Sequence, residues 1–291
     1  MDEISFWQAV WQTELLQRAV LAGALVGLAC AALSPYVVLR RMAFVGDGMA
    51  HAAFGGLGVG LFLFAGSQSD DVRVQAVVIV FCLLLAVAVG HATRGSGLSG
   101  PRTLAEDSAI GIAFAVAMAL GALLIVLRMR REPQYMPSWE AYLFGSLTTI
   151  GQGQVWLTLA LAAAVLAALV LFHKEFAFYT YDETLAEVSG LPVAFLHYLF
   201  LILLVLTVVV AARIVGIVLV SASLVLPGVF ALALCRSLGK ALCLAGAAGV
   251  ASYELGLYLS YLWNIPPGSG IILVQFALVV AALTFRRVRT A

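Results

Sequence analysis

Nine charge-poor runs follow one another along the chain, at residues 19–39, 43–66, 74–92, 108–127, 155–172, 191–212, 214–235, 241–263 and 268–285. Each is close to the ~20 helical residues that cross a hydrocarbon core of about 30 Å. Runs of this length predict an all-α polytopic membrane protein of about eight or nine transmembrane helices. Composition points the same way: 63% of the residues are hydrophobic and 11% charged, with a mean hydropathy of +1.07. A soluble domain of 291 residues has too few polar side chains to cover that much apolar surface, so lipid must be the solvent. The expected location is the cell membrane, crossed many times.

Between 191 and 235 only Arg213 interrupts the apolar sequence, which is too long for one span. Gly216 and Pro227 are expected to break it into pieces, and broken or re-entrant helices are tolerated where freed backbone groups face protein or a cavity. This region is therefore a candidate pore lining. With alternating spans and the amino terminus outside, ten basic residues (Arg40, Arg41, Arg94, Arg102, Lys174, Arg236, Lys240, Arg286, Arg287 and Arg289) fall in the cytoplasm. Six (Arg18, Arg73, Arg128, Arg130, Arg131 and Arg213) fall on the other side, which sets that orientation. The chain reads as one transmembrane domain over 1–291, without a long linker or low-complexity tract.

Several function classes are excluded. A net charge of +1 with no clustered basic surface argues against a nucleic-acid partner. Cys30, Cys82, Cys235 and Cys243 lie in apolar stretches without CxxC spacing, so they predict neither disulfides nor a thiolate metal site. The opening MDEISFWQAVWQTE has no basic segment like that of a secretory signal and is expected to be a short amphipathic lead-in.

The most informative stretch is RRMAFVGDGMAHAAFGGLGVG, residues 40–60, where Asp47 and His51 stand four residues apart in an otherwise apolar run. Four residues make one helical turn, so carboxylate and imidazole face the same way about 6 Å apart along the axis. If Arg40 and Arg41 mark the membrane surface, Asp47 lies about 9 Å and His51 about 15 Å into the bilayer. Ionisable groups at such depth are functional hypotheses by default. Imidazole plus carboxylate suits zinc, manganese or iron, whereas alkali and alkaline-earth ions favour oxygen-only sites. Two readings stand at this point: Asp47 as a helix N-cap with His51 bonded to a carbonyl, or the pair as ligands of a small cation. Seven glycines, at 46, 48, 55, 56, 58, 60 and 66, would allow close helix approach or local unwinding beside a substrate.

LRRMAFVGDGMAHAAFGGLGVG resembles the second-span signature of permeases in metal-ion ABC importers, the family that takes up zinc, manganese or iron. The resemblance continues in order through AEDSAIGIAFAVAMALG (105–121), YLFGSL (142–147), YDETLAEVSGLP (181–192), VVVAARIVGIVLVSASLVLPG (208–228) and LSYLWNIPPGSG (259–270). It implies that Asp47 and His51 coordinate the transported ion within the membrane and that no cofactor is permanently bound. The chain departs from the family at Asn264, where an aspartate is common, and at Gly48, where an aliphatic residue is common. Asn264 and Glu254 are possible additional polar pore residues, Glu254 either as a further ligand or as the partner of a hydroxyl or water.

Residues 181–190 hold Asp182, Glu183 and Glu187 at helical spacing, with Leu185 and Val188 as an apolar edge, and predict a short amphipathic helix near 181–190. By the same resemblance this is the coupling helix that docks on the ATPase subunit; a solvated loop is the plainer reading. Glu106 and Asp107 are accounted for by the positive end of the fourth helix. No G-x-x-x-x-G-K-[ST] phosphate loop exists in the sequence, and Gly239–Lys240 lacks both the preceding glycine and the following hydroxyl. The chain is thus not expected to be an enzyme. The resemblance implies its partners: two ABC ATPase subunits, a second copy of this permease or a related one, and an extracytoplasmic metal-binding protein.

Three rival readings use the same residues. An ion-coupled secondary transporter would run protons through Asp47, His51 and Glu254, but would favour inverted repeats, and no convincing repeat is found. An intramembrane protease fails because Asp182 lies in a polar loop, and no G-x-S-x-G serine exists. An ABC permease for an organic metal chelate would need a wide apolar conduit and no paired ligands.

Overall fold

The computed structural model describes residues 12–64, 71–93, 106–131 and 151–290. These residues form helices: α1 (Glu14–Leu39), α2 (Ala43–Leu63), α3 (Val72–Thr93), α4 (Glu106–Arg131), α5 (Gln152–Leu171), α6 (His173–Tyr181), α7 (Glu183–Val188), α8 (Val193–Val215), α9 (Ile217–Ser223), α10 (Leu226–Leu234), α11 (Leu238–Trp263) and α12 (Pro267–Thr290). No strand occurs among the described residues. Of these, α1, α3, α4, α5, α8, α9 with α10, α11 and α12 supply eight segments long and apolar enough to cross a membrane. The ninth run is α2, 21 residues long, which stays outside that set because Asp47, His51 and its glycines dilute its hydropathy. The amino-terminal lead-in up to Trp11 and the block at 142–147 lie outside the described residues.

The break expected near Gly216 and Pro227 is present. Gly216 adopts φ +85, a left-handed conformation that only glycine takes at no steric cost, and it separates α8 from α9. A second interruption at Leu224–Val225 precedes α10, and Pro227 sits in its first turn, where its missing N–H costs nothing. Backbone groups freed at such breaks need partners in a membrane. Gly228 N donates to Ser34 Oγ on α1 at 2.7 Å. Beside the break, Ser223 Oγ meets Tyr253 Oη at 3.1 Å and accepts from Gln275 Nε2 at 3.1 Å. All three side chains are buried, so the polar atoms of a fully apolar neighbourhood satisfy one another.

The chain divides into two compact units, Met1–Ala43 with Glu140–Leu191 and Val210–Ala291, and Phe44–Trp139 with Pro192–Val209. In the first, α1 is the central helix, packed on α5, α10 and α11. Its contact with α11 runs over Gly27 and Gly249, where a Cβ on Gly249 would lie 2.7 Å from the Gly27 carbonyl oxygen. In the second, α2 is clasped by α3 and α4. A Cβ on Gly58 would stand 2.6 Å from Gly121 Cα, and one on Gly56 would stand 3.0 Å from Val78 Cα. The glycines of the DGMAH segment therefore serve close helix approach, and α2 runs unbroken without the local unwinding that was the other expectation. At the carboxyl end of α2, the buried Arg128 donates from Nη1 to the Leu61 carbonyl at 2.7 Å, satisfying an acceptor the helix itself leaves open.

Burial sorts the spans. In α1 72% of the spanning window is buried, against 22% in α4 and α5. Leu84, Leu123 and Val170 are all exposed, at 66%, 56% and 78%, so the poorly buried helices present apolar faces to lipid or to another protein.

Candidate metal site

Asp47 is the fifth residue of α2, whose first residue is Ala43. It lies inside the helix, so the N-cap reading of this aspartate is removed. From residue 45 to residue 58 every side chain is buried except those of Asp47 and His51, which keep 43% and 26% exposure. The i,i+4 spacing puts both on one stripe of the helix, and that stripe is the face the second unit leaves uncovered. Asp47 Oδ1 and His51 Nε2 are 3.8 Å apart, too far for a hydrogen bond. Ligand bonds of about 2.0–2.2 Å span about 3.4 Å at a tetrahedral angle and about 4.2 Å when opened to a line. One small cation therefore fits between the two atoms without a change of backbone.

The imidazole is held from behind by α4. Its ring meets Phe114 edge-on with centroids 5.0 Å apart at 62°, a favourable geometry for a ring whose edge carries positive charge. Gly48, between the two polar residues, explains one departure from the resembling family: a Cβ there would lie 2.7 Å from Ile110 Cγ2. Phe114 and Ile110 were not foreseen as site supports, although both stand in the 105–121 block. Apolar side chains give no sequence signal that separates a support from ordinary core.

Among the described residues no third His, Cys, Asp or Glu joins the pair into a group of three. Two ligands are fewer than the four of a zinc site or the six of an octahedral one, so any ion held here takes further ligands beyond these two side chains. Glu254 lies within α11 in the other unit, half-buried, with Oε2 shielded and no hydrogen-bond partner. Asn264 is exposed and caps α11 in the left-handed conformation, φ 51. Asparagine enters that region more readily than most side chains, so the turn alone accounts for this residue type.

The acidic segment folds as expected in kind and shorter in extent. α7 covers Glu183–Val188, six residues. Asp182 is its N-cap rather than a helical residue, accepting from Leu185 N at 2.8 Å, and Gly190 at φ +83 lies just beyond its other end. Ala186 is buried while Leu185 and Val188 are exposed, at 52% and 81%; Glu183 and Glu187 are exposed as well. An apolar edge flanked by acids is thus presented outward.

Arg40 fastens this segment to α1. Its guanidinium lies 3.6 Å over the Tyr179 ring, donates to the Tyr179 carbonyl at 3.2 Å and to the Tyr179 hydroxyl, and reaches Glu183 Oε2 at 3.5 Å. Tyr36 Oη meets His173 Nδ1 at 3.3 Å one turn deeper. Arg40 had been read only as a marker of the membrane surface. A planar cation that stacks and donates at once is a role that only the fold reveals.

Comparison with known proteins gives a consistent picture. The manganese transport system membrane protein MntC of Halalkalibacterium halodurans is 34% identical over 280 residues, covering 96% of this chain and 90% of the relative. A probable iron transport system membrane protein of Haemophilus influenzae is 33% identical over 282 residues, covering 96% of each. Among solved structures, PsaBC from Streptococcus pneumoniae in complex with Fab superposes with a TM-score of 0.78 at 29% identity, over 95% of this chain and 94% of that one. The sequence also matches the ABC 3 transport family from residue 12 to residue 286, so the eight spanning segments and the polar stripe on α2 sit in a multi-pass membrane protein that belongs to that family.

Proposed function

We propose that this chain is the permease of an ATP-driven importer that carries a divalent first-row transition-metal ion across the cell membrane. The observation that carries the proposal is the isolation of Asp47 and His51 as the two uncovered polar side chains in an otherwise buried stretch, 3.8 Å apart. Manganese and iron are favoured over zinc by the names of the similar transport proteins, and a carboxylate–imidazole pair accepts either. A bare ion needs paired ligands, which an organic chelate does not, so the chelate and secondary-transporter readings are set aside. Glu254 is then a polar residue of the conduit.

ATP hydrolysis belongs to partner subunits in this reading. Asp182, Glu183, Leu185 and Glu187 form the surface on which an ATPase docks, because exposed Leu185 and Val188 offer an apolar edge with acids around it. A second permease copy supplies missing ligands or encloses the ion, and an extracytoplasmic binding protein delivers it. The deciding experiment is uptake of radioactive manganese, iron and zinc, each alone, into vesicles carrying the permease with its ATPase and binding protein. ATP-dependent accumulation of at least one ion is the expected result, and none for any ion removes the proposal.

Two outcomes follow from the same geometry. Binding needs ionised carboxylate and neutral imidazole, and a proton competes with the metal for His51. Uptake therefore falls as the pH is lowered; equal rates at pH 5.5 and 7.5 would count against His51 as a ligand. Arg40→Ala frees α6 and α7 from the end of α1, so metal-stimulated ATP hydrolysis falls about tenfold with the metal site intact. Arg40→Lys recovers only part of the loss, because an ammonium cannot stack and fork together. Stimulation equal to wild type in Arg40→Ala would remove Arg40 from the coupling path.

A further inference from the structure

A groove of about 440 Å³ runs down the first unit between α1 and α5, with Val250 of α11 among its lining residues. On α1 its wall extends from Arg18 to Leu28, and on α5 from Gln152 to Leu159. Arg18 and Gln152 are its polar members, each in the opening turns of its helix, and the remainder is leucine, alanine, valine and tryptophan. Ten residues of helix from Arg18 to Leu28 rise about 15 Å, half of a hydrocarbon core of about 30 Å. The groove is thus one leaflet deep, polar at its mouth and apolar below. Trp156, 63% exposed, stands one turn below Gln152, where indole rings favour the membrane interface.

The size of the groove selects its occupant. A helix of that length with side chains fills on the order of 1,200 Å³ and would lie largely outside a groove of this size, whereas a single acyl chain is slender enough to lie within it. The charges at the mouth select the head group. Arg18 Nη2 pairs with Glu14 Oε2 at 2.8 Å, with side-chain exposures of 31% and 82%. Glu14 stands one turn, about 6 Å, nearer the start of the helix than Arg18. Going outward along α1, the groove wall carries a cation, and one turn beyond the lining the helix carries an anion. A phospholipid presents phosphate beside its glycerol and, in ethanolamine lipids, an ammonium beyond it. The two sequences of charge are complementary, and an exposed ion pair is weak enough to open for them. Guanidinium grips phosphate with two parallel donors, and a primary ammonium can donate to Glu14 where a choline cannot.

We propose that the groove between α1 and α5 is a binding site for a phospholipid with a primary-amine head group. Its acyl chain lies between Leu21 and Leu28, its phosphate on Arg18 and its ammonium on Glu14. The site is separate from Asp47 and His51, so its test does not depend on the transport reading.

The experiment uses the full-length chain, purified in detergent, stripped of lipid and offered phosphatidylethanolamine, phosphatidylcholine and phosphatidylglycerol in equal amounts, with bound lipid read by native mass spectrometry. Wild type retains phosphatidylethanolamine about tenfold over the other two, and Arg18→Ala lowers the retention of all three about tenfold, because each carries the phosphate. Glu14→Gln keeps a bound phospholipid and loses the preference for the amine. Ala24→Phe fills the groove and removes the retained lipid; the charge variants, on exposed or part-exposed side chains, carry the test if that variant fails to fold. Equal retention of the three lipids by wild type overturns the proposal, as does unchanged retention in Arg18→Ala. A photo-crosslinking residue at Leu21 that captures a second protein chain in place of lipid overturns it too.

Discussion

Alanine at Asp47 or at His51 abolishes metal uptake, lowering the rate by about 100-fold or more at matched expression. Loss of a supporting partner alone costs a metal site about 10–100-fold, and here each substitution removes one of the two proposed ligands. The two changes differ in kind. Asp47→Ala removes the anion that offsets the charge of the ion in a medium where charge is expensive, and Asp47→Asn, which keeps an oxygen, is expected to be nearly as defective. His51→Ala removes the nitrogen donor that favours transition metals over calcium and magnesium, so residual transport should lose its selectivity first. Both residues stand on the uncovered stripe of α2, hence both variants should fold, and thermal unfolding of the purified proteins checks this. Wild-type uptake rates in both variants would discard the pair as the site while leaving family membership untouched.

The second large effect is steric. Gly58→Leu places a side chain where even a Cβ would stand 2.6 Å from the Cα and carbonyl oxygen of Gly121. Backbone cannot yield as a flexible side chain can, so α4 must move away from α2 or the helices fail to pair. Overpacking costs about 1–3 kcal/mol where neighbours can adjust, and more is expected here because both partners are main chain. The expected outcome is loss of folded protein, read as aggregation in size-exclusion chromatography and low recovery from membranes. Gly111→Ala, on the facing helix α4, is the control: nothing lies within 4 Å of its added carbon, and alanine favours a helix interior over glycine by about 0.5–1 kcal/mol. If Gly58→Leu is recovered with wild-type stability, close packing of α2 on α4 does not hold the second unit together.

Most of the architecture was legible in residue order. Charge-poor runs located the spans to within a few residues, because burial of about 20 apolar residues in lipid is decided along one helix at a time. Gly216 announced its own break because only glycine takes φ +85 without strain. The α7 helix was foreseen with blurred ends, since a capping aspartate and a helical one have the same letter; Asp182 became the cap. Asp47 and His51 were legible as a pair because spacing fixes which residues share a helical face. Whether that face was covered was not, since this depends on what α3 and α4 bring against it.

The tertiary structure alone decided three matters. It brought Phe114 against His51 and Ile110 over Gly48, turning anonymous apolar positions into supports. It linked Arg40 to Tyr179 and Glu183 across more than a hundred residues of chain. It joined Ser223, Tyr253 and Gln275 into one buried network beside the broken span. The sequence by itself determined what each segment must be, through local hydropathy and helical spacing. Which polar groups meet depended on how the helices pack, because a hydrogen bond or a ligand pair in lipid is set by partners that residue order does not place side by side.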